Sequence, residues 1–171
     1  MKTLILLTHP NLKESKINKT LTQSIQNTPN ITLHDLYATY SDGKINASKE
    51  IELLKTHDKI VFEFPLFWFS SPSLLKEYED VVFSGVLYGS EPKMLQGKIF
   101  QIITSAGSPE EKYRSDGRNQ KNLEEILLPF QMSASYLGMQ TNPIFCVYNA
   151  MNITDASLAE AKEAYKKLLL S

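Results

Sequence analysis

Three short segments of this sequence gather side chains able to do chemistry. The first, Thr8-His9-Pro10-Asn11-Leu12-Lys13-Glu14-Ser15-Lys16-Ile17-Asn18, supplies hydroxyl, imidazole and amide groups where a helix is expected to begin. Free backbone N–H groups and the helix dipole favour an anion at such a point, and a phosphate fits there. Taken alone, the segment reads equally well as a plain helix cap by Ser15, with His9 an ordinary loop residue. It carries no P-loop or dinucleotide fingerprint. The second segment, Pro65-Leu66-Phe67-Trp68-Phe69-Ser70-Ser71-Pro72, places three consecutive aromatic residues in a loop, where a flat ligand would cover them. Core or dimer-interface packing is the competing reading for Phe67 and Phe69 individually. The third, Thr104-Ser105-Ala106-Gly107, combines small residues that permit close backbone approach with free donors, as a heterocycle edge bearing carbonyl oxygens requires.

The elements that position these segments are readable from hydrophobic pattern. Residues 3–8 form a short apolar run ending in a polar loop, as a strand buried on both faces should. From Ser15, Ile17, Leu21 and Ile25 recur every fourth position, which predicts an amphipathic helix stopping before Pro29. Further strands are expected at 31–36, 59–64, 98–104 and 140–147. Further helices are expected at 47–57, from Ser71-Pro72 onward with proline at the first helical position, at about 120–137 with Pro129 interrupting it, and at 155–170. Strands alternating with helices predict a single domain over 1–171. Its fold class is α/β: a flavodoxin-like doubly wound five-stranded parallel sheet of order 2-1-3-4-5 with helices on both faces. In that order strands one, three and four are neighbours, so the three segments converge at the carboxyl edge of the sheet.

Composition narrows the possibilities. Lys and Arg number 18 against 19 Asp and Glu, so no bulk positive field is present to hold nucleic acid. A single cysteine, Cys146, offers neither a disulfide nor a metal cluster and points to the cytoplasm; an inert thiol is the expectation for it. No metal site is expected. No apolar stretch approaches the roughly 18 residues of a membrane span, so any membrane role would come through a partner. His34 and His57 show neither metal-ligand spacing nor a nearby acidic partner in the sequence, so structural or surface roles are expected for them, and Asp42 and Glu63 form no acid/base pair.

A phosphate site, an aromatic platform and a small-residue clamp together match the phosphate, ring face and pyrimidine edge of FMN. Donors from the second and third segments would stabilise negative charge on the reduced ring and tune its potential.

Here the sequence resembles the flavodoxin-like NAD(P)H:quinone oxidoreductases. It is most similar to the small bacterial branch that includes modulators of drug activity and ancillary subunits of glutathione-regulated potassium efflux systems. The resemblance rests on His9-Pro10 with Ser15 and Asn18, Asp35-Leu36-Tyr37-Ala38, Phe64 to Phe69 through Pro72 and Leu75-Lys76, and Val82-Phe83 with Tyr88-Gly89. It implies a homodimer and a ping-pong cycle in which NADH or NADPH and a quinone-like acceptor alternate in one site. A regulatory flavoprotein that binds and activates a potassium-efflux transporter is the alternative it allows. By this likeness His9, Ser15, Ile17 and Asn18 would hold the phosphate and ribityl chain. Pro65, Leu66, Phe67, Trp68 and Phe69 would hold the isoalloxazine, and Thr104, Ser105, Ala106, Gly107 and Ser108 its far edge. Tyr113 would be the catalytic tyrosine that some relatives place over the substrate, although no histidine follows it here. Ala106 also departs from the family's usual Thr-Thr-Gly-Gly.

Overall fold

A computed structural model describes residues 1–170. Its strands β1 (Thr3–Leu7), β2 (Ile31–Asp35), β3 (Lys59–Pro65), β4 (Ile99–Ser105), β5 (Gln140–Thr141) and β6 (Phe145–Val147) form one sheet of order β2-β1-β3-β4-β5, with β6 also on β4 and every pair parallel. β1, β3 and all but the first residue of β4 are buried, which is why they read as continuous apolar runs rather than alternating ones. The predicted order thus stands. The predicted fifth strand is divided: β5 pairs with Ile99 and Phe100, β6 pairs with Ile103 to Ser105, and the residues between carry Pro143. Proline has no N–H for the ladder, and the Gln101 side chain donates to its carbonyl instead.

The helices are α1 (Ile17–Gln23), α2 (Leu36–Thr39), α3 (Ala47–Lys55), α4 (Ser73–Tyr78), α5 (Ser84–Leu87), α6 (Leu123–Ile126), α7 (Leu128–Tyr136) and α8 (Asp155–Leu170). A π-helical turn, Glu79–Phe83, joins α4 to α5. Successive strand residues face opposite sides, and each side has its own core. Leu4, Leu6, Phe62, Phe64 and Phe100 pack with Tyr78, Phe83 and Phe130 on one side, where the Phe62 and Phe100 rings meet edge to face at 4.9 Å. Ile5, Val61 and Ile103 pack with Ile17 and Leu21 of α1 and Leu158, Tyr165 and Leu169 of α8 on the other.

Three local expectations are corrected. Pro72, with φ −55° and ψ 148°, precedes α4 as its cap rather than opening it, and Ser71 Oγ donates to the Pro72 carbonyl. α1 stops at Gln23, ahead of a looser turn that places Asn27 in the left-handed region. The long predicted helix splits at Leu127: Asn122 and Glu125 form a capping box for α6, and Pro129 opens α7, because a proline is tolerated only in a first turn. His34 also gains an acidic partner invisible in the sequence, its Nε2 lying 2.9 Å from Glu50 Oε1.

Candidate functional site

The three predicted segments leave the ends of β1, β3 and β4, which are neighbours, and hydrogen bonds stitch them together. Thr8 N–H donates to the Glu63 carbonyl at 2.8 Å, tying β1's exit to β3. Leu66 N–H donates to the Ser105 carbonyl at 2.8 Å, tying the second segment to the third. Asn18 Nδ2 donates to Ser105 Oγ at 3.3 Å, tying the first to the third. Ser105 is therefore the junction of all three.

In the first segment Ser15 Oγ accepts from Asn18 N–H at 3.0 Å, so the cap reading is realised. Ile17 buries its side chain in the core and leaves only main-chain groups for a ligand. Asn18 is buried and its Oδ1 has no partner among the described residues, as is also true of Thr8 Oγ1. His9 is half-buried, and its Nδ1 accepts from Asn11 N–H at 3.1 Å. An accepting Nδ1 places the ring proton on Nε2. Burial holds the imidazole pKa below its usual value, against a smaller upward pull from Asp35, so His9 is a neutral Nε2–H donor.

The second segment forms a tight two-residue turn. Phe67 and Ser70 exchange both backbone hydrogen bonds, at 2.8 and 2.9 Å. The central residues, Trp68 (φ 49°) and Phe69 (φ 63°), are both left-handed. Such turns normally carry Asn-Gly, and a bulky residue there costs about 1–3 kcal/mol. Trp68 is 94% exposed, and Phe67 and Phe69 are also exposed. A strained turn that holds three aromatic rings out of the core has a shape suited to lying against a flat partner.

The third segment is the opposite in character. Ala106 and Ser105 are buried, Thr104 Oγ1 donates to the Phe64 carbonyl at 2.8 Å, and Ala106 N–H donates to the Val147 carbonyl at 3.0 Å. Tyr113 is only 8% exposed, its ring 5.6 Å from that of Tyr148. Burial raises its pKa, against a smaller opposing effect of Ser108. Tyr113 thus braces the third segment. Beyond β6, residues 149–151 run behind this segment and donate to its carbonyls; nothing in their residue types signals this.

Beneath the junction, Glu63 is buried between the sheet and α8, where Tyr165 OH donates to its Oε2 at 2.7 Å. Burial pushes its pKa up to about 8, against a smaller opposing effect of the Tyr165 bond. Burial therefore holds the carboxyl toward its neutral form. Cys146, also pushed up to about 12 by burial, is a poor nucleophile. Among the described residues no group of His, Cys, Asp and Glu can hold a metal ion, and no helix is long and apolar enough to cross a membrane.

The residues fit FMN. The unpartnered buried oxygens of Thr8 and Asn18 and the neutral His9 donor lie where the phosphate and ribityl hydroxyls are expected. The projecting rings suit the isoalloxazine face. The third segment keeps the N–H of Gly107 without a partner among the described residues.

The profile of the flavodoxin-like fold family matches residues 1–169. A glutathione-regulated potassium-efflux system ancillary protein, KefG of Cronobacter sakazakii, is 40% identical over 98% of this chain and 92% of its own length. Among solved structures, general stress protein 14 of Treponema denticola, in complex with FMN, superposes with a TM-score of 0.89 at 35% identity, covering 99% of this chain and 97% of that one. An NADPH-quinone reductase of P. pentosaceus superposes with a TM-score of 0.89 at 29% identity, covering 98% and 97%.

Proposed function

Since this chain belongs to the flavodoxin-like fold family, we propose that it is an FMN-dependent NAD(P)H oxidoreductase that passes two electrons to quinones or similar small electrophilic acceptors. The observation that carries the reading is Ser105, which ties the segments of the phosphate, ring-face and ring-edge residues into one junction. The FMN complex of one similar structure and the NADPH-quinone reductase activity named for another support it. When bound, FMN would supply the redox chemistry, two-electron exchange between NADH or NADPH and the acceptor in a ping-pong cycle.

The chain's own residues bind and orient. Ser15, Asn18, the main chain at Ile17 and His9 Nε2–H hold the phosphate and ribityl chain. The rings of Phe67, Trp68 and Phe69, with Pro65 and Leu66 beside them, form the apolar wall against which flat rings stack. Ser105, Ala106, Gly107 and Ser108, fixed by Thr104 below and Tyr113 behind, face the ring's polar edge. Exposed Tyr88, Met132 and Tyr136, beside a cleft of about 370 Å³ between the α4–α5 helix and α7, give a homodimer an apolar surface.

The test is direct. Purified protein should be yellow or take up FMN, and should oxidise NADH or NADPH in the presence of a soluble quinone. A colourless chain that binds no added FMN overturns the proposal. The likeness to KefG favours a second reading, in which the flavoprotein binds the cytoplasmic part of a potassium-efflux transporter. On that reading a Trp68→Ala variant with reduced turnover still activates transport in full.

A further inference from the structure

The carbonyl groups of Ala106, Gly107 and Ser108 are all occupied from one side, by the 149–151 turn. Ala150 N–H donates to the Ala106 carbonyl at 2.9 Å, Met151 N–H to that of Gly107 at 3.4 Å, and Asn149 N–H to that of Ser108 at 2.9 Å. No peptide bond among the described residues is cis. In a planar trans peptide the N–H points opposite to the C=O that precedes it. Fixing the Ala106 carbonyl toward Ala150 therefore aims the Gly107 N–H away from the 149–151 turn, and fixing the Gly107 carbonyl does the same for Ser108 N–H. Ser108 lies beside the Tyr113 hydroxyl, whose pKa it lowers against the larger upward effect of burial. The Gly107 N–H has no partner among the described residues.

The turn depends on one backbone conformation. Asn149 lies in the left-handed region at φ 58° and ψ 36°, and only from there does the chain reverse into the short 3-10 turn Ala150–Asn152, closed by Asn152 N–H donating to the Asn149 carbonyl at 2.9 Å. Asparagine tolerates this region, whereas a β-branched residue does not. Met151 adds a steric stop: its Cγ lies 3.4 Å from where a Cβ on Gly107 would be, on the flank of the loop.

We propose that Asn149 is a positioning residue, whose left-handed backbone sets the 149–151 turn as a strap that aims the Gly107 N–H at the polar edge of the bound flavin. This rests on the FMN reading of the site. A fixed donor at that edge stabilises the reduced ring, where negative charge accumulates, more than the oxidised one. The strap therefore sets the potential as well as the affinity.

Three proteins test this: the wild type, Asn149→Val, which disfavours the left-handed turn, and Asn149→Gly, which restores it. FMN affinity is read by flavin fluorescence quenching, and the midpoint potential of the bound flavin by a dye-linked reductive titration. Asn149→Val should bind FMN about tenfold more weakly, with a more negative potential, and Asn149→Gly should return both to wild-type values. Equal affinity and potential in Asn149→Val and wild type overturn the strap. So does failure of Asn149→Gly to restore them, since side-chain loss and not backbone conformation would then be responsible. Should Asn149→Val not fold, amide hydrogen exchange on the wild type decides: added FMN should protect the Gly107 N–H, and unchanged exchange there overturns the inference. A wild type that binds no FMN would instead overturn the proposed function.

Discussion

The second and third loops lie side by side, joined by Leu66 N–H and the Ser105 carbonyl, yet they are built in opposite ways. The second exposes three aromatic rings on a left-handed turn that its residue types disfavour. The third buries Ser105 and Ala106 and ties each carbonyl from Ser105 to Ser108 to a backbone donor. The difference follows from what each would recognise. A ring face is recognised by area and contact, so strain and exposure are acceptable if they hold apolar surface in place. A polar edge is recognised by the direction of a few donors, so the surrounding backbone must have no freedom to turn.

The comparison can be broken at several points. The largest expected effect is at the junction. Ser105→Val removes the hydroxyl that accepts from Asn18 and leaves that buried amide without a partner. FMN affinity should fall roughly a hundredfold, following a loss of about 2–3 kcal/mol, as read by fluorescence titration. Next, replacing Trp68 and Phe69 together by Asn and Gly gives the turn the residues it prefers. Thermal unfolding should show a gain of about 2 kcal/mol while turnover drops; a loss of stability would mean that the turn is not strained. Trp68→Ala should lower kcat/KM roughly tenfold and leave the melting temperature nearly unchanged, because the ring is largely in solvent.

A separate, pH-dependent effect on stability lies at the buried Glu63. Glu63 has its folded pKa raised to about 8. Below the unfolded carboxylate range both states are protonated and its contribution is complete. As pH rises, the unfolded chain ionises first, so stability is lost progressively until the folded carboxyl also ionises near pH 8. The slope should not exceed about 1.4 kcal/mol per pH unit. Denaturant unfolding at a series of pH values should show it in wild type and not in Glu63→Gln.

Much of this was legible in the sequence because its physical cause is local. Continuous apolar runs marked β1, β3 and β4, since strands covered on both faces have no polar side to reveal. The loops followed at the run ends, and the aromatic cluster at 67–69 stood out because loops rarely expose such residues. Misread elements had competing local causes. Pro129 reads as an interruption and the helix does break beside it, but the capping box at Asn122 starts the first piece later than expected and the break falls at Leu127, with Pro129 in the first turn of α7. Tyr113, expected over the substrate, is largely buried with its ring 5.6 Å from that of Tyr148.

The sequence by itself determined the order of elements and the three segments that meet, because hydrophobic period and turn residues act over a few neighbours. Only the tertiary structure decided that Ser105 joins Asn18, 87 residues away, that Tyr165 keeps Glu63 company, and that Asn149 to Met151 back the third loop. The bonds of 149–151 use backbone groups common to nearly all residues, and the two side-chain bonds join residues far apart in the chain, so their partners are set by where the chain returns in space and leave no mark on spacing.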